Sequence, residues 1–276
     1  MTNFVELRTV ATHTALLAAE EINRKRAELG DIRQYTQTKS SPVDPVTVVD
    51  TYAEEAIAAE LARVRPGDGI IGEEGSAQVS TTGVTWIVDP IDGTVNFLYG
   101  LPNYAVSIAA AIDGQVVAGA VVNVATGHLY SAARGLGATR HVDGVEMPLK
   151  CTAVTEVSQA LVATGFGYSS SRRQAQARLV AELLPEVRDI RRLGSAALDL
   201  CMVASGEVDA HFEHGLNAWD FAAGALIAEE AGAEVHVPTL STPGSAGELM
   251  LVSAPGIWPE IQAVLRKLGG YSDMPR

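Results

Sequence analysis

Asp89 and Asp92 stand three positions apart in Trp86-Ile-Val-Asp-Pro-Ile-Asp-Gly-Thr-Val-Asn-Phe97, where an apolar run breaks through Pro90 into Gly93 and Thr94. Carboxylates held on a rigid turn are the oxygen donors that a hard cation such as Mg²⁺ takes. The backbone N–H groups of Gly93 and Thr94, placed where a helix can begin, offer a seat for phosphate. Further acidic positions fall at the ends of expected elements: Asp44 to Asp50, Glu73-Glu74, and Asp220 within Ala-Trp-Asp-Phe-Ala-Ala-Gly. Singly, each has an ordinary reading, with Asp220 a helix cap, Asp92 a turn residue and Glu73-Glu74 a solvated loop. Together, strand-end carboxylates crowd one edge and repel unless a cation neutralises them. A site for two or three Mg²⁺ ions fits, because paired ions about 3.5–4 Å apart can hold both the attacking and the leaving oxygen of a phosphoryl transfer.

The overall charge narrows the partners. Lys and Arg number 20 against 33 Asp and Glu, a net charge of −13, which argues against a nucleic-acid partner. An anionic substrate must then be met by local cations, and metal ions reverse the local field. No apolar run approaches the ~20 residues that a membrane span requires, and Met1 to Arg8 lack a signal-peptide layout. The expectation is a cytoplasmic protein with no membrane partner. In that setting Cys151 and Cys201 are free, buried thiols without chemistry.

The elements that must position these residues follow from apolar spacing. Val5, Ala11, Leu16, Leu17 and Ile22 recur at helical spacing up to Gly30, and Ile32 to Lys39 reads as a strand before the turn Ser40-Ser41-Pro42. Val46 to Val49 leads into a helix with Ala53, Ile57, Leu61 and Val64 on one face, stopped by Pro66-Gly67. Ile70-Ile71 is a strand ending at Gly72-Glu-Glu-Gly75, Ser76 to Gly83 a polar loop, and Trp86 to Val88 the next strand. Strands at 105–112, 116–124 and 128–133, joined by Asp113-Gly114 and Thr126-Gly127, predict an antiparallel meander that runs to Asp143-Gly144. Beyond Lys150 strands and helices alternate: strands at 161–164, 189–193, 208–212, 233–237 and 249–253, with helices at 172–184, 196–204, 218–231 and 258–268. The rhythm changes between Met147 and Val157, so an α+β half (1–148) and an α/β half (149–276) are expected to pack as one body.

Four of these stretches carry a resemblance. Asp89-Pro-Ile-Asp-Gly-Thr94, the upstream Gly72-Glu-Glu74, the downstream Trp219-Asp-Phe-Ala-Ala-Gly224, and Lys39-Ser-Ser-Pro-Val-Asp44 with Val46, Thr47 and Asp50 resemble the inositol monophosphatase family in order and spacing. The resemblance covers nearly the whole chain. It implies a layered α-β-α-β-α sandwich, shared with the fructose-1,6-bisphosphatase type, and a homodimer. It implies that Glu73, Asp89 and the carbonyl of Ile91 bind one Mg²⁺ and that Asp89, Asp92 and Asp220 bind a second, with Glu73 reaching a third through water. Thr94, hydrogen-bonded to Asp50, would activate the attacking water, and the N–H groups of Gly93 and Thr94 would hold phosphate oxygens. Asp220 would also orient the water that protonates the leaving oxygen. Gly194-Ser195-Ala196 resembles the sugar-side loop of the family, and Glu213 matches a position that bonds inositol hydroxyls there. The implied reaction is hydrolysis of a small phosphorylated polyol, inositol 1-phosphate first, with lithium inhibition. Histidinol phosphate is the rival substrate, fructose 1,6-bisphosphate and 3′-phosphoadenosine phosphate lie further off, and a non-catalytic regulatory module is the alternative of a different class.

Other features invite less. His211 and His214 have metal-like spacing, but on a strand i and i+3 point apart and no cysteine ligand is near, so zinc is not expected. Gly135-Leu-Gly137 and Gly165-Phe-Gly167 lack a third glycine and read as turns. Arg172-Arg173 and Arg191-Arg192 read as surface or subunit-contact charges, one of which could reach a neighbouring chain's substrate phosphate.

Overall fold

Apolar residues on nearly every central strand alternate between two cores, so both faces of the sheets are covered. Trp86 and Val88 enter one core while Ile87 enters another, and the same split separates Val106, Ile108 and Ala110 from Ala105, Ala109 and Ala111. The computed structural model describes residues 3–39 and 45–276; Ser40-Ser41-Pro42 and Asp44 lie outside the described residues.

Asn3 caps α1 (Phe4–Leu29) by accepting from the N–H groups of Val5 and Glu6, and Gly30 ends it at φ +69°. A 3₁₀ turn (Ile32–Tyr35) leads to β1 (Thr36–Thr38), which pairs antiparallel with β2 (Pro45–Thr47). The hydroxyl of Thr47 caps α2 (Val48–Val64) while Asp50 reaches back to the Thr47 N–H, a capping box. There follow β3 (Gly69–Gly72), β4 (Ala77–Gln78), β5 (Val84–Asp92), α3 (Thr94–Tyr99), β6 (Ala105–Ile112), β7 (Gln115–Asn123), β8 (Leu129–Ala133), β9 (Ala138–Val142) and β10 (Val145–Pro148). They form an eight-stranded sheet in the order β10-β9-β8-β7-β6-β5-β3-β4, with only β3 and β5 parallel. Asp113 and Gly114, both at positive φ, close the β6–β7 hairpin. The remaining elements are β11 (Leu161–Thr164), α4 (Ser170–Leu183), β12 (Asp189–Arg191), α5 (Ala196–Ala204), β13 (Ala210–His214), α6 (Ala218–Glu230), β14 (Glu234–His236), β15 (Leu249–Ser253) and α7 (Trp258–Lys267). Five of these strands make a mixed sheet in the order β12-β11-β13-β15-β14.

Three cores stack these elements into an α-β-α-β-α sandwich, as the resemblance implied. The first joins α1 and α2 to one face of the large sheet. The second joins the opposite face to α5 and α6 and then to the small sheet, through residues such as Met250 and Val252. The third packs Phe212 and Leu251 of the small sheet against Leu179 and Leu183 of α4 and Ile261 and Leu265 of α7.

Four local expectations needed correction. The buried face of α1 is Leu7, Ala11, Ala15, Ala18 and Ile22, whereas Val5 and Leu16 are exposed, because alanines supply most of a stripe that close packing on a sheet favours. The 32–39 segment is strand only at Thr36–Thr38, since Asp31 caps the turn that buries Ile32. The loop 76–83 contains the short strand β4. β5 continues through Pro90 to Asp92, with a register shift between Asp89 and Asp92 where proline has no N–H for the ladder.

Close approach in the middle layer depends on missing side chains. A Cβ on Gly119 of β7 would meet Cα of Ala223 in α6 at 3.0 Å, and one on Gly224 would meet Cβ of Leu200 in α5 at 2.8 Å. Gly119→Ala is therefore expected to push α6 off the sheet and to cost about 1–3 kcal/mol, the range for overpacking. Equilibrium denaturation checks this, and an unchanged midpoint would mean that α6 can retreat freely.

Candidate active site

Parallel pairing of β3 with β5 sets Gly72 beside Val88, and the Glu73 N–H donates to the Val88 carbonyl at 3.1 Å, so Glu73 leaves its strand next to Asp89. Asp89 Oδ1 accepts the Ile91 N–H at 3.0 Å, which tightens the turn through Pro90. Asp92 Oδ2 accepts the Ser195 hydroxyl at 2.6 Å and the Ala197 N–H at 2.7 Å, at the N-terminus of α5. Asp220 lies in the first turn of α6, where Oδ2 accepts the Asn217 N–H at 2.7 Å. β5, which carries Asp89 and Asp92, and α6, which carries Asp220, thus bring the three carboxylates together, each offering one oxygen, with all three oxygens within 4.8 Å of one another.

Crowding and burial act on these groups in the same direction. Burial, followed by the charges of Glu73, Asp92 and Asp220, raises Asp89 well above the usual carboxylate range. Burial, then Glu73 and Asp92, does the same to Asp220. Asp92 is pushed up to about 6 by burial, against the opposing hydrogen bonds from Ser195 and Ala197. An all-oxygen donor set whose members raise one another's proton affinity is what a hard divalent cation relieves, so the residues fit a metal.

Beside them, Thr94 Oγ1 lies 3.0 Å from Asp50 Oδ1 and 3.1 Å from the Ile91 carbonyl, so its single proton serves one acceptor at a time. Asp50 is buried and also accepts from the Thr47 N–H at 2.9 Å and from the Thr47 hydroxyl. Burial lifts it to about 6, with the Thr47 bonds opposing. Gly93 sits at φ +94°, where a Cβ would meet the Asn103 and Gly194 carbonyls at 3.0 Å.

Glu73 is not one of the three mutually clustered carboxylates, but its side chain lies against Asp89, with Lys39 Nζ at 2.8 Å from its Oε1 and at 2.5 Å from Glu74 Oε1. Burial raises Glu74 to about 7 although Lys39 opposes it. Sequence reasoning missed what holds this turn. Glu54, buried in α2, accepts the Glu74 N–H on Oε2 and the Ser76 N–H on Oε1, both at 2.7 Å. Gly72 leaves room for it, since a Cβ there would lie 2.4 Å from the Glu54 carboxyl carbon. A carboxylate between Ala53 and Ile57 on a buried helix face was the available signal.

Gly194, Ser195, Ala196 and Glu213 line a cavity of about 100 Å³ together with Asp92 and Asp220. Gly194 to Ala196 therefore lie beside the clustered carboxylates, and the Ser195 hydroxyl donates to Asp92. Glu213 lies within β13 rather than after it. Its carboxyl is pushed up to about 8 by burial, with Asp92 adding and Arg192 opposing. Arg192 is exposed, as expected of a surface charge, and it also lines this cavity. Arg172 is buried, with Nη1 donating to the Gly244 carbonyl at 2.8 Å and Nε to that of Pro275 at 3.2 Å. Gly165 and Gly167 are clearance positions rather than turns: a Cβ on Gly165 would lie 2.0 Å from Glu213 Oε2, and one on Gly167 would lie 2.8 Å from Arg172 Cδ. His214 is bonded to the Gly270 carbonyl at 2.7 Å. A larger cavity of about 360 Å³, between α6 and residues 235–240, holds none of the clustered carboxylates.

Converging carboxylates beside a hydroxyl–carboxylate pair, in this five-layer fold, define a metal-dependent phosphomonoester hydrolase. Residues 4–265 match the inositol monophosphatase family, and the chain belongs to it. It is 52% identical over 282 residues to the inositol-1-monophosphatase SuhB of Mycobacterium tuberculosis, covering 98% of this chain and 96% of that protein. The solved structure of Mycobacterium tuberculosis SuhB superposes with a TM-score of 0.85 at 48% identity, over 99% of this chain and 100% of that one. Inositol monophosphate-bound SaIMPase-II superposes with a TM-score of 0.72 at 28% identity, over 96% of this chain and 98% of that one.

Glu54→Gln offers one acceptor and one donor where two N–H groups need acceptors, leaving a buried donor unpaired at about 1–3 kcal/mol. The variant is expected to bind Mg²⁺ about tenfold more weakly through a loosened Glu73, as read by calorimetric titration. Unchanged affinity would remove Glu54 from the account.

Proposed function

We propose that this chain hydrolyses inositol 1-phosphate to inositol and phosphate with Mg²⁺, as a cytoplasmic homodimer without nucleic-acid partners. The convergence of Asp89, Asp92 and Asp220 beside the Thr94–Asp50 pair carries this reading. Glu73, Asp89 and the Ile91 carbonyl would hold one ion, Asp89, Asp92 and Asp220 a second, and Glu73 would reach a third. When bound, Mg²⁺ supplies neutralisation of phosphoryl charge and acidifies water.

The protein's own groups do the rest. Asp50, fixed by Thr47, accepts the hydrogen bond of the Thr94 hydroxyl, which leaves the lone pairs of Oγ1 to accept from, orient and activate the attacking water. Commitment of the Ile91 carbonyl to a cation would direct the Thr94 proton wholly to Asp50. The Gly93 and Thr94 N–H groups would hold phosphate oxygens, and Asp220 would orient the proton donor to the leaving alkoxide. Two halves work as one body here, 1–148 bringing the turn and 149–276 bringing Asp220 and the alcohol side.

Glu213 and the Gly194–Ala196 loop would meet the alcohol, and a polyol suits a carboxylate that accepts from hydroxyls. The names of the relatives and the inositol monophosphate-bound neighbour support inositol over histidinol phosphate. Initial rates over inositol, histidinol, sugar and nucleotide monophosphates at fixed Mg²⁺ test this: inositol 1-phosphate should have the highest kcat/KM, and a clear preference for another ester would replace the substrate. Lithium should inhibit in the same assay. Thr94→Ala should lower kcat by about 10²-fold with Mg²⁺ affinity nearly unchanged, so a large metal defect would mean that the role of Thr94 is misassigned.

A further inference from the structure

Behind the wall of the cavity sit three ionisable side chains that the reaction above does not use together. His211 is fully buried on β13, with Nδ1 at 3.7 Å from Asp199 Oδ2 and Nε2 at 3.8 Å from Glu213 Oε2. Among the described residues neither ring nitrogen forms a hydrogen bond of normal geometry, although the Ala163 backbone lies close enough to favour the charged ring slightly. Asp199 Oδ1 is likewise buried without a partner, and Asp199 and Glu213 both line the cavity that holds Asp92 and Asp220. Buried polar atoms are nearly always paired, so three orphan atoms on two adjacent side chains mark an arrangement that closes on itself or on a ligand.

We infer that Asp199 and His211 are positioning residues for Glu213: the imidazole bridges the two carboxyl groups and so fixes which oxygen Glu213 presents to the hydroxyls of the departing alcohol. A neutral imidazole donates through one nitrogen and accepts through the other, so between two carboxyl groups it requires one ionised and one protonated. An imidazolium between two carboxylates holds the same two protons and the same net charge, so both gaps are filled in either form. At 3.7 and 3.8 Å each gap lies just beyond hydrogen-bonding range, and the bridge requires both to shorten. On the far side Gly165 leaves no side chain to compete for the space, since a Cβ there would lie 2.0 Å from Glu213 Oε2. Arg192, the cation lining the cavity, offsets part of the negative charge on Asp199 and Glu213.

The inference rests on Glu213 as the polyol contact, and a double-mutant cycle separates the two. The quantity read is kcat/KM for inositol 1-phosphate divided by kcat/KM for phenyl phosphate, which has no hydroxyls for Glu213 to meet. Glu213→Gln should lower this ratio, and if it does not, the polyol contact itself is wrong. With that ratio lowered, His211→Phe should lower it about tenfold while leaving phenyl phosphate turnover near wild type, and the double variant should fall no further than Glu213→Gln alone. His211→Asn, which keeps one donor, should fall between wild type and His211→Phe and serves if the phenylalanine variant does not fold. Equal losses on both substrates, an unchanged ratio, or effects that add in full in the double variant would overturn the positioning role.

Discussion

Three carboxylates brought within 4.8 Å of one another and withdrawn from water would repel and pay for their lost hydration at once. Everything near them in this protein answers that constraint. Asp89 is fixed by the Ile91 N–H, Asp92 by Ser195 and the start of α5, and Asp220 by the start of α6. These bonds stabilise charged forms but do not cancel the crowding, since all three groups remain raised. A divalent cation would complete the neutralisation, and the same ion would meet an anionic substrate in a chain whose net charge is −13.

The layers explain how the ligands meet. β5 delivers Asp89 and Asp92 from the large sheet, while α6, lodged between the sheets, delivers Asp220. Such a meeting is stable only if the middle layer cannot slide, and Gly119 and Gly224 let backbone and side chains touch there without an intervening Cβ. Asn96 joins the two halves at the site by donating to the Asn103 carbonyl at 2.7 Å and to the Leu193 carbonyl at 2.8 Å. The β5 turn carries Asp89, Asp92 and Thr94, and Glu213 comes to the same cavity from β13, the central strand of the smaller sheet.

Much of this was legible before any coordinates. Asp89, Asp92, Gly93 and Thr94 are consecutive enough that one turn had to present them, and the helix beginning at Ala218 had to place Asp220 in its first turn. The α1 face was misread because the stripe is alanine, whose weak hydrophobicity leaves the phase of a helix open to neighbours such as Val5 and Leu16. Glu54, Asp199 and Arg172 escaped because each is a charged residue buried by partners far along the chain, which no local pattern reports. Gly165 and Gly167 looked like turn formers, and only three dimensions reveal that they clear space for Glu213 and Arg172.

On this reading the carboxylate cluster would hold a divalent cation on which turnover depends. Calorimetric titration of Mg²⁺ into the metal-stripped protein and into Asp220→Asn, with phosphate release followed over the same concentrations, tests it most directly. The wild type should bind saturably, the variant at least about tenfold more weakly, and turnover should follow the wild-type isotherm. Turnover undiminished in excess chelator, or Asp220→Asn binding and hydrolysing as the wild type does, would contradict it.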